Sequence, residues 1–464
     1  MLKMLGGPMG TMGTMGTMGA EAIRHRPRSQ AALGGPGFTL GLALVVLGGC
    51  SKKAVHKRTG DAAAVEIVTT PAVLDGGTHP EAVSDEIEPN DGDDVATVLG
   101  LGSTLHGKID PDTDVDQYRI DVAQAGALSV MALGHESLDV VLEIKDASGT
   151  VVARSDRGGA RVREGIPNLG VTPGRYLAVV QAKKPATPKK KPPKRAAPEP
   201  ARPAGGPYEI TASMVSPAAG FEHEPDDDRG AANDLFAGDT GTGYIGWTGD
   251  ADVWKLSVEA LSAKNALDIE LSAVEGVALS LEIADGVGQP IATRKGAKGM
   301  PLVVRGFVPA VPPGAPPFHH LTVRGDRSNP ETAYQLRVVA KVIAPDAEIE
   351  PNDTPETAMP VPADRKSLRA HWGTGDIDCF AVPSEDAART LEVSIDTPND
   401  LDLAIDLLID GKLVAKVDHP GKGAAEQLTA PVPAGARAVI RVHGAELPGD
   451  GTYELVIDEG AASP

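Results

Sequence analysis

Acidic side chains recur along this 464-residue chain in a short motif that appears three times. The three copies are Glu86-Ile87-Glu88-Pro89-Asn90-Asp91, Glu222-His223-Glu224-Pro225-Asp226-Asp227 and Glu348-Ile349-Glu350-Pro351-Asn352-Asp353. At the same spacing after each proline comes an Asp-x-Asp-x-aromatic element, and these elements are Asp114-Asp116-Tyr118, Asp250-Asp252-Trp254 and Asp376-Asp378-Phe380. Carboxylates that gather at one place repel each other unless they are protonated, fully solvated or neutralised by a cation. A hard cation with oxygen ligands is the simplest reason for a chain to keep these acids together.

A second interpretation of the motif needs no ion. Proline followed by asparagine or aspartate is a common turn sequence. The motif then forms a polar turn at the entrance to a domain, and its carboxylates lie in water. The residue types alone leave both interpretations open.

The elements that must position these acids are predicted to be β-strands. In each copy the aromatic residue opens a run in which apolar and polar residues alternate, such as Tyr118-Ile120-Val122 and Trp254-Leu256-Val258. This period of two is typical of a strand with one buried face. Glycine and proline are abundant, with 54 and 39 residues, and aromatic residues make up only 3% of the chain. We therefore predict an all-β chain of three tandem β-sandwich domains, jelly-roll-like and of about eight strands each.

Two finer expectations follow from the strand pattern. The final strands carry Tyr208, Tyr334 and Tyr453 at equivalent positions, which favours a place in the core over a ligand-binding platform. On the strand whose Phe380 and Val382 face inward, alternation turns Cys379 outward.

The repeats and the composition divide the chain into five segments. We predict a signal peptide with a low-complexity extension over residues 1–49, a lipidated cysteine and flexible tether over 50–85, and sandwiches over 86–215, 216–343 and 344–464. The repeat unit is much longer than that of a solenoid, so each copy is expected to fold as a domain of its own.

The order of these motifs resembles the bacterial pre-peptidase C-terminal domain, whose relatives include the calcium-dependent collagen-binding modules of clostridial collagenases. The resemblance covers about residues 86 to 458. It implies calcium ligands in the acidic motif and at the aspartate before the first long strand. These are Glu86, Glu88, Asn90, Asp91 and Asp114, then Glu222, Glu224, Asp226, Asp227 and Asp250, then Glu348, Glu350, Asn352, Asp353 and Asp376. The second aspartates, Asp116, Asp252 and Asp378, are further candidates.

The third set keeps every residue type of the first, so calcium is expected there as well. Collagen binding itself is not expected. The collagen-binding relatives present tyrosines on an exposed strand face, whereas most tyrosines here occupy the repeated structural positions.

The N-terminal region carries a predicted cellular address. Three arginines, Arg24, Arg26 and Arg28, precede an apolar run from Phe38 to Leu47 that is too short for a stable transmembrane anchor. The run ends in Leu47-Gly48-Gly49-Cys50, which resembles the lipobox of bacterial lipoproteins. We expect Cys50 to become the lipidated N-terminus and to hold the protein at the cell envelope. Ser51 after the cysteine resembles the sequence of lipoproteins that are forwarded to an outer membrane, so the resemblance implies that destination.

A basic insertion distinguishes the first copy from the other two. It spans 183–207 between the last two predicted strands and is rich in proline. Candidate residues for contact with an anionic surface are Lys189, Lys190, Lys191, Lys194 and Arg195. The alternative is a solvated, extended loop without a partner.

Composition and motifs narrow the function class. A net charge of -20 disfavours binding of nucleic acid. The sequence contains neither an HExxH zinc motif nor a GxSxG nucleophile motif. We expect a non-catalytic, membrane-anchored surface or periplasmic lipoprotein whose sandwiches are calcium-stabilised binding or spacer modules for an extracellular polymer or protein. The alternative is an accessory factor that acts in trans with secreted peptidases.

Replacing Cys50 with serine tests the lipoprotein prediction. The Cys50→Ser protein should lose its lipid label and leave the membrane fraction, because the acyl chains on that cysteine are the expected anchor. Phase separation in a cloud-point detergent measures this directly. Retention of the variant in the detergent phase would contradict the prediction.

Overall fold

A computed structural model describes residues 84–135, 137–183, 205–215, 218–364, 366–444 and 449–461. The predicted signal peptide, Cys50, the predicted tether up to residue 83 and the candidate residues Lys189, Lys190, Lys191, Lys194 and Arg195 lie outside these ranges. The last two residues of the predicted tether, Ser84 and Asp85, form a short strand. Every regular element of the described residues is a β-strand, which confirms the all-β prediction. Within these ranges no helix has the length and apolar character to cross a membrane.

The first sandwich contains two sheets that share one core. Its strands are β1 (Ser84–Asp85), β2 (Thr97–Val98), β3 (Ser103–Ile109), β4 (Val115–Val122), β5 (Gly126–Gly134), β6 (Val140–Lys145), β7 (Val151–Ser155), β8 (Arg163–Val171), β9 (Gly174–Ala182) and β10 (Gly206–Val215). One sheet has the order β1-β3-β10-β5-β8, and the other has the order β2-β4-β9-β6-β7. The long strands pair antiparallel.

The second sandwich repeats this arrangement. Its strands are β11 (Asn233–Phe236), β12 (Thr240–Ile245), β13 (Ala251–Ser257), β14 (Asn265–Leu271), β15 (Leu279–Ala284), β16 (Pro290–Lys295), β17 (Leu302–Phe307), β18 (Phe318–Gly325) and β19 (Asn329–Val342). The sheet orders are β12-β19-β14-β17 and β11-β13-β18-β15-β16.

The third sandwich has the same strand orders. Its strands are β20 (Met359–Pro360), β21 (Ser367–Gly373), β22 (Ile377–Val382), β23 (Arg389–Asp396), β24 (Leu403–Ile409), β25 (Lys412–Val417), β26 (Glu426–Val432), β27 (Ala438–Gly444) and β28 (Asp450–Ala461). The sheet orders are β21-β28-β23-β26 and β20-β22-β27-β24-β25. In each copy the described residues form eight strands of five or more residues, as the alternating pattern predicts.

Each sandwich encloses its own hydrophobic core. The aromatic residues of the Asp-x-Asp-x-aromatic elements, on β4, β13 and β22, are fully buried, and so are the tyrosines of the last strands. The first core contains Tyr118 and Tyr208, and the second contains Trp254 and Tyr334. The third contains Phe380 and Tyr453. Because the same alternation places these rings inward in all three copies, the core prediction for the tyrosines is confirmed.

The acidic motif crosses from one sheet of its sandwich to the other. In the first copy, β1 lies parallel to β3, and after the motif β2 lies parallel to β4 on the opposite sheet. The second and third motifs also end in a short parallel edge strand, β11 beside β13 and β20 beside β22. We call this stretch the crossing segment; it covers 86–96, 222–232 and 348–358. It therefore caps one end of each sandwich.

The second and third crossing segments also pair with the sandwich before them. Glu224 donates its amide to the carbonyl of Asn168 at 3.2 Å and accepts a hydrogen bond from the amide of Gly170 at 2.6 Å. Glu350 makes the equivalent pair of bonds with Gly306 and Val308, at 3.0 and 2.8 Å. The second and third crossing segments consequently lie where one sandwich meets the next.

Cys379 differs from its predicted exposure. Its side chain points away from the main core, as alternation requires, but it is fully buried against Ala358, Leu408 and Val439. The crossing segment covers this outer face, and the Cys379 amide donates to the carbonyl of Asn352 at 3.1 Å. Burial raises the pKa of the thiol to about 12. Strand parity alone does not predict that a neighbouring segment covers the outer face.

Replacing Gly107 with alanine tests the packing around the first core. A Cβ at this position would lie 2.3 Å from Cζ of Tyr208 and 2.5 Å from the hydroxyl of Tyr118. Overpacking of this kind costs about 1–3 kcal/mol, so calorimetry should show Gly107→Ala unfolding at a lower temperature. Gly159→Ala is the control, since a Cβ there meets nothing within 4 Å. Equal melting temperatures for the two variants would contradict the packing shown here.

Candidate metal centres

The crossing segment and the start of β4, β13 or β22 bring acidic oxygens together in every copy. Three groups have carboxylate oxygens that lie within 4.8 Å of one another. The groups are Glu86, Glu88 and Asp116; Glu222, Glu224 and Asp252; and Glu350, Asp353 and Asp376. We call the full motif sets of the three copies the first, second and third clusters. The structure thus brings three of the predicted acids together in each copy, although not the same three positions, and it surrounds each cluster differently.

Two buried tyrosines donate hydrogen bonds to acids of the first cluster. Tyr118 donates its hydroxyl hydrogen to Oε2 of Glu86 at 2.7 Å, and Tyr208 donates to Oδ2 of Asp116 at 2.5 Å. The amide of Lys108 donates to the other oxygen of Glu86 at 2.6 Å. Asn90 adds a side-chain hydrogen bond to Glu86 at 3.1 Å. These donors fix the orientation of the acids without supplying a positive charge.

The first cluster is open on its outer side. Glu88 and Asp91 are exposed and Asp114 is half-buried, whereas Asn90 and Asp116 are fully buried. Oδ1 of Asn90 and Oδ1 of Asp116 have no hydrogen-bond partner. Burial and the nearby acids raise the pKa of Asp116 to about 8. An oxygen-binding cation would satisfy these oxygens and stabilise the ionised carboxylate.

The second cluster is the most deeply buried of the three. Glu222, Glu224, Asp226, Asp250 and Asp252 are each at most 2% exposed. Glu222 accepts hydrogen bonds from Tyr334 at 2.9 Å and from the side chain of Asn168, in the first sandwich, at 2.6 Å. Asp226 replaces the asparagine of the other copies and accepts a bond from Asn233 at 2.6 Å. This cluster therefore carries one additional carboxylate and contacts the preceding domain through Asn168.

Several oxygens of the second cluster lack partners. These are Oε1 of Glu224, Oδ1 of Asp226, Oδ1 of Asp250 and both carboxylate oxygens of Asp252. Within the described ranges, no lysine or arginine forms an ion pair with any acid of this cluster. Burying uncompensated carboxylates is costly, and burial together with mutual repulsion raises the pKa of Asp226 and of Asp250 to about 9.

A cleft of about 560 Å³ lies beside the second cluster. It is bounded by Ala153 and Arg154 of the first sandwich and by Pro225, Asp227 and Trp247 of the second. Trp247 also packs against the first core. The cleft gives solvent a route to Asp227 at the edge of the cluster.

The third cluster contains a basic side chain from the second sandwich. Arg294 on β16 is only 2% exposed, and its guanidinium contacts all three of the converging carboxylates. Nη2 lies 2.7 Å from Glu350 and 2.6 Å from Asp376, and Nη1 lies 2.9 Å from Asp353. The acidic motif does not predict this residue, because Arg294 lies outside the motif and in another domain.

The remaining acids of the third cluster resemble their counterparts. Glu348 accepts hydrogen bonds from Asn352 at 2.7 Å and from the amide of His371 at 2.8 Å. Tyr453 donates its hydroxyl hydrogen to Asp378 at 2.6 Å. Oδ1 of Asn352 and Oδ1 of Asp378 have no partner. Burial raises the pKa of Glu348 to about 8.

The last-strand tyrosines have a role that the sequence reasoning missed. Tyr208, Tyr334 and Tyr453 fill the cores, and each hydroxyl also hydrogen-bonds to a cluster acid, respectively Asp116, Glu222 and Asp378. Their equivalent spacing from the end of each repeat is the signal that could have revealed this. A phenylalanine would serve a purely apolar core equally well.

The donor types allow a test of fit to calcium. Calcium binds carboxylate, amide and carbonyl oxygens, commonly six to eight of them. The first and second clusters offer converging carboxylates with unpartnered oxygens and contain no basic side chain among the described residues. The third cluster does not fit in the same way, because Arg294 already contacts its three converging acids.

A solved structure described as the pre-peptidase C-terminal domain of a collagenase from Bacillus anthracis is similar to 30% of this chain and is covered over 100% of its own length. The sequence identity is 17% and the TM-score is 0.19. A likeness at this level supports no conclusion about function. No family model and no curated protein matches the chain.

The raised pKa values predict how the metal-free protein responds to pH. Asp226 and Asp250 stay protonated in the folded protein up to about pH 9, whereas in the unfolded chain they ionise near their ordinary pKa of 3.8. The folded state therefore holds more protons between these values, and its stability should fall as pH rises, by at most about 1.4 kcal/mol per pH unit for each group.

Melting temperatures measured in chelator from pH 5 to pH 9 check this expectation. The decline should be reduced in the Asp226→Asn/Asp250→Asn protein, whose amides do not titrate. It should also be reduced by calcium, which competes with protons for the same oxygens. A melting temperature that stays level or rises over this range in the parent protein would contradict the expectation.

Proposed function

We propose that this protein is a non-catalytic, lipid-anchored component of a bacterial cell envelope. Its three sandwiches act as binding or spacer modules for an extracellular polymer or protein, and calcium stabilises the first and second of them. The lipobox-like sequence ending at Cys50 supports the anchor and the envelope location. The outer membrane is the proposed destination.

The observation that carries the calcium proposal is the set of buried, unpartnered oxygens in the second cluster. Glu224, Asp226, Asp250 and Asp252 contribute these oxygens, and all four residues are at most 2% exposed. Isolated buried carboxylates are costly, and a divalent cation offsets both the lost hydration and the mutual repulsion. An ion here would be held by Glu222, Glu224, Asp226, Asp250 and Asp252, with Asp227 at the rim.

The position of the second cluster connects ion binding with domain arrangement. Glu224 is hydrogen-bonded through its backbone to Asn168 and Gly170 on β8, and Glu222 accepts a bond from the side chain of Asn168. An ion that fixes Glu222 and Glu224 would therefore also fix the contact with the first sandwich. Such a clip suits a protein that presents modules at a distance from its lipid anchor.

A calcium titration of the soluble Cys50→Ser protein tests the proposal. Calcium should raise the melting temperature, since binding selective for the folded state contributes about 2.7 kcal/mol per site at a hundredfold excess over Kd. Magnesium should do less, because it requires a tighter octahedral site. Glu224→Gln should remove the heat of binding that belongs to the second cluster.

Glu259→Gln serves as the matched control, because Glu259 is exposed on the same sandwich and lies outside the cluster. It should titrate like the parent. Identical melting curves of the parent with and without calcium would contradict the calcium proposal.

The binding role needs a separate measurement. The same soluble protein is applied to arrays of glycans and matrix polymers, and each captured polymer is then examined for cleavage. The proposal expects retention of at least one polymer class in intact form. Reproducible hydrolysis that follows the purified protein would show an enzyme instead.

A further inference from the structure

Arg294 occupies the point on which the third cluster converges. We propose that Arg294 is a built-in counter-cation that takes the place of a metal ion in the third cluster and locks the second sandwich to the third without calcium. The statement about the ion rests on the proposed calcium function of the other clusters, whereas the lock itself does not.

The contacts of Arg294 are those of a buried ionic centre. Its two terminal nitrogens reach Glu350, Asp353 and Asp376 at 2.6 to 2.9 Å, and the side chain is 3% exposed. A guanidinium stays protonated under all ordinary conditions and presents its donors in a rigid plane. Charge-assisted hydrogen bonds of this kind are among the strongest in proteins. A calcium ion that used the same three acids would have to displace the guanidinium against charge repulsion.

The repeats show that this arginine is specific to one copy. Strand pairing places Leu142 of β6 opposite Ser155, Leu281 of β15 opposite Arg294, and Ile405 of β24 opposite Val417. The same three apolar residues pair with Val180, Val323 and Val442 of the neighbouring strand. Ser155, Arg294 and Val417 are thus equivalent positions. Among them, only Arg294 can supply a positive charge to the sandwich that follows.

Neighbouring residues explain why Ser155 pairs within its own sandwich whereas Arg294 pairs with the sandwich that follows. Ser155 donates its hydroxyl hydrogen to Glu164 on β8 at 2.6 Å, within its own sandwich. Register on the opposite sheet places Leu302 of β17 at the position of Glu164. Leu302 offers no acceptor, so the polar end of Arg294 has its partners in the third cluster instead.

The two junctions should therefore differ in their need for calcium. Both use the same backbone pairing, between Glu224 and β8 and between Glu350 and β17. At the first junction, the buried carboxylates have no basic partner among the described residues. At the second junction, Arg294 supplies one.

Calorimetry and calcium counting on the soluble full-length protein test this proposal. Arg294→Ser introduces the residue found at the equivalent position of the first copy. In chelator it should lower the melting temperature by several degrees, because three buried acids lose their counter-charge. In excess calcium it should recover most of that loss, and equilibrium dialysis should show one more bound calcium than in the parent.

Arg305→Ser is the matched control, since Arg305 pairs with Asp268 and Glu270 of its own sandwich. It should bind as many calcium ions as the parent. Asp376→Asn in an otherwise unchanged chain is the second variant, which nearly preserves the shape of the side chain. It should leave the number of bound calcium ions unchanged, because Arg294 excludes the ion from the third cluster.

Two results would overturn the proposal. One is a loss of bound calcium in Asp376→Asn, which would place an ion in the third cluster despite Arg294. The other is an Arg294→Ser protein that is no less stable in chelator than Arg305→Ser. A parent protein that binds no calcium at all would refute the calcium function, while the comparison in chelator would still decide whether Arg294 locks the junction.

Discussion

The compensation of buried carboxylates is the constraint on which the ends of these sandwiches depend. Each crossing segment places two glutamates near the aspartates at the start of β4, β13 or β22. Removal of such charges from water costs several kcal/mol unless they are compensated. The first cluster remains partly open to solvent, the second is buried against the preceding domain except at Asp227, and the third contains Arg294. One motif therefore creates three different electrostatic environments.

Positioning of the acids depends on residues that the motif does not contain. The tyrosine of each last strand donates a hydrogen bond from the core to an acid of the neighbouring cluster; these tyrosines are Tyr208, Tyr334 and Tyr453. In the second sandwich, Gly243 lets Glu222 and Tyr334 approach the backbone, since a Cβ there would lie 1.9 Å from a carboxylate oxygen of Glu222. Core packing and cluster geometry are consequently coupled, so a change in either is expected to affect the other.

The fold could be predicted from sequence because its signals are local. Alternation from Tyr118 to Val122 requires only that one face of a strand be buried, and β4 shows this pattern. The gathering of acids followed from three copies at one spacing. By contrast, Arg294 and Asn168 act on the domain that follows their own, and nothing near them in sequence marks the contact. Cys379 was misjudged for a related reason, since the covering segment comes from outside its strand.

The comparison of the three clusters shows why an intact motif is an incomplete guide to ion binding. At the candidate ligand positions, the third motif matches the first, whereas the second departs from both at Asp226. From the motifs alone, the intact third motif would be expected to bind an ion better than the altered second one. The surroundings favour the opposite: the second cluster lacks a basic partner within the described ranges, whereas the third contains the guanidinium of Arg294. The net charge at a junction is set jointly by the acidic motif and by the position on the preceding sandwich that Ser155 and Arg294 share. Two positions therefore act together at the second junction: Arg294 supplies the positive charge, and Leu302, which stands where the first copy has the acceptor Glu164, leaves the guanidinium to pair with the third cluster.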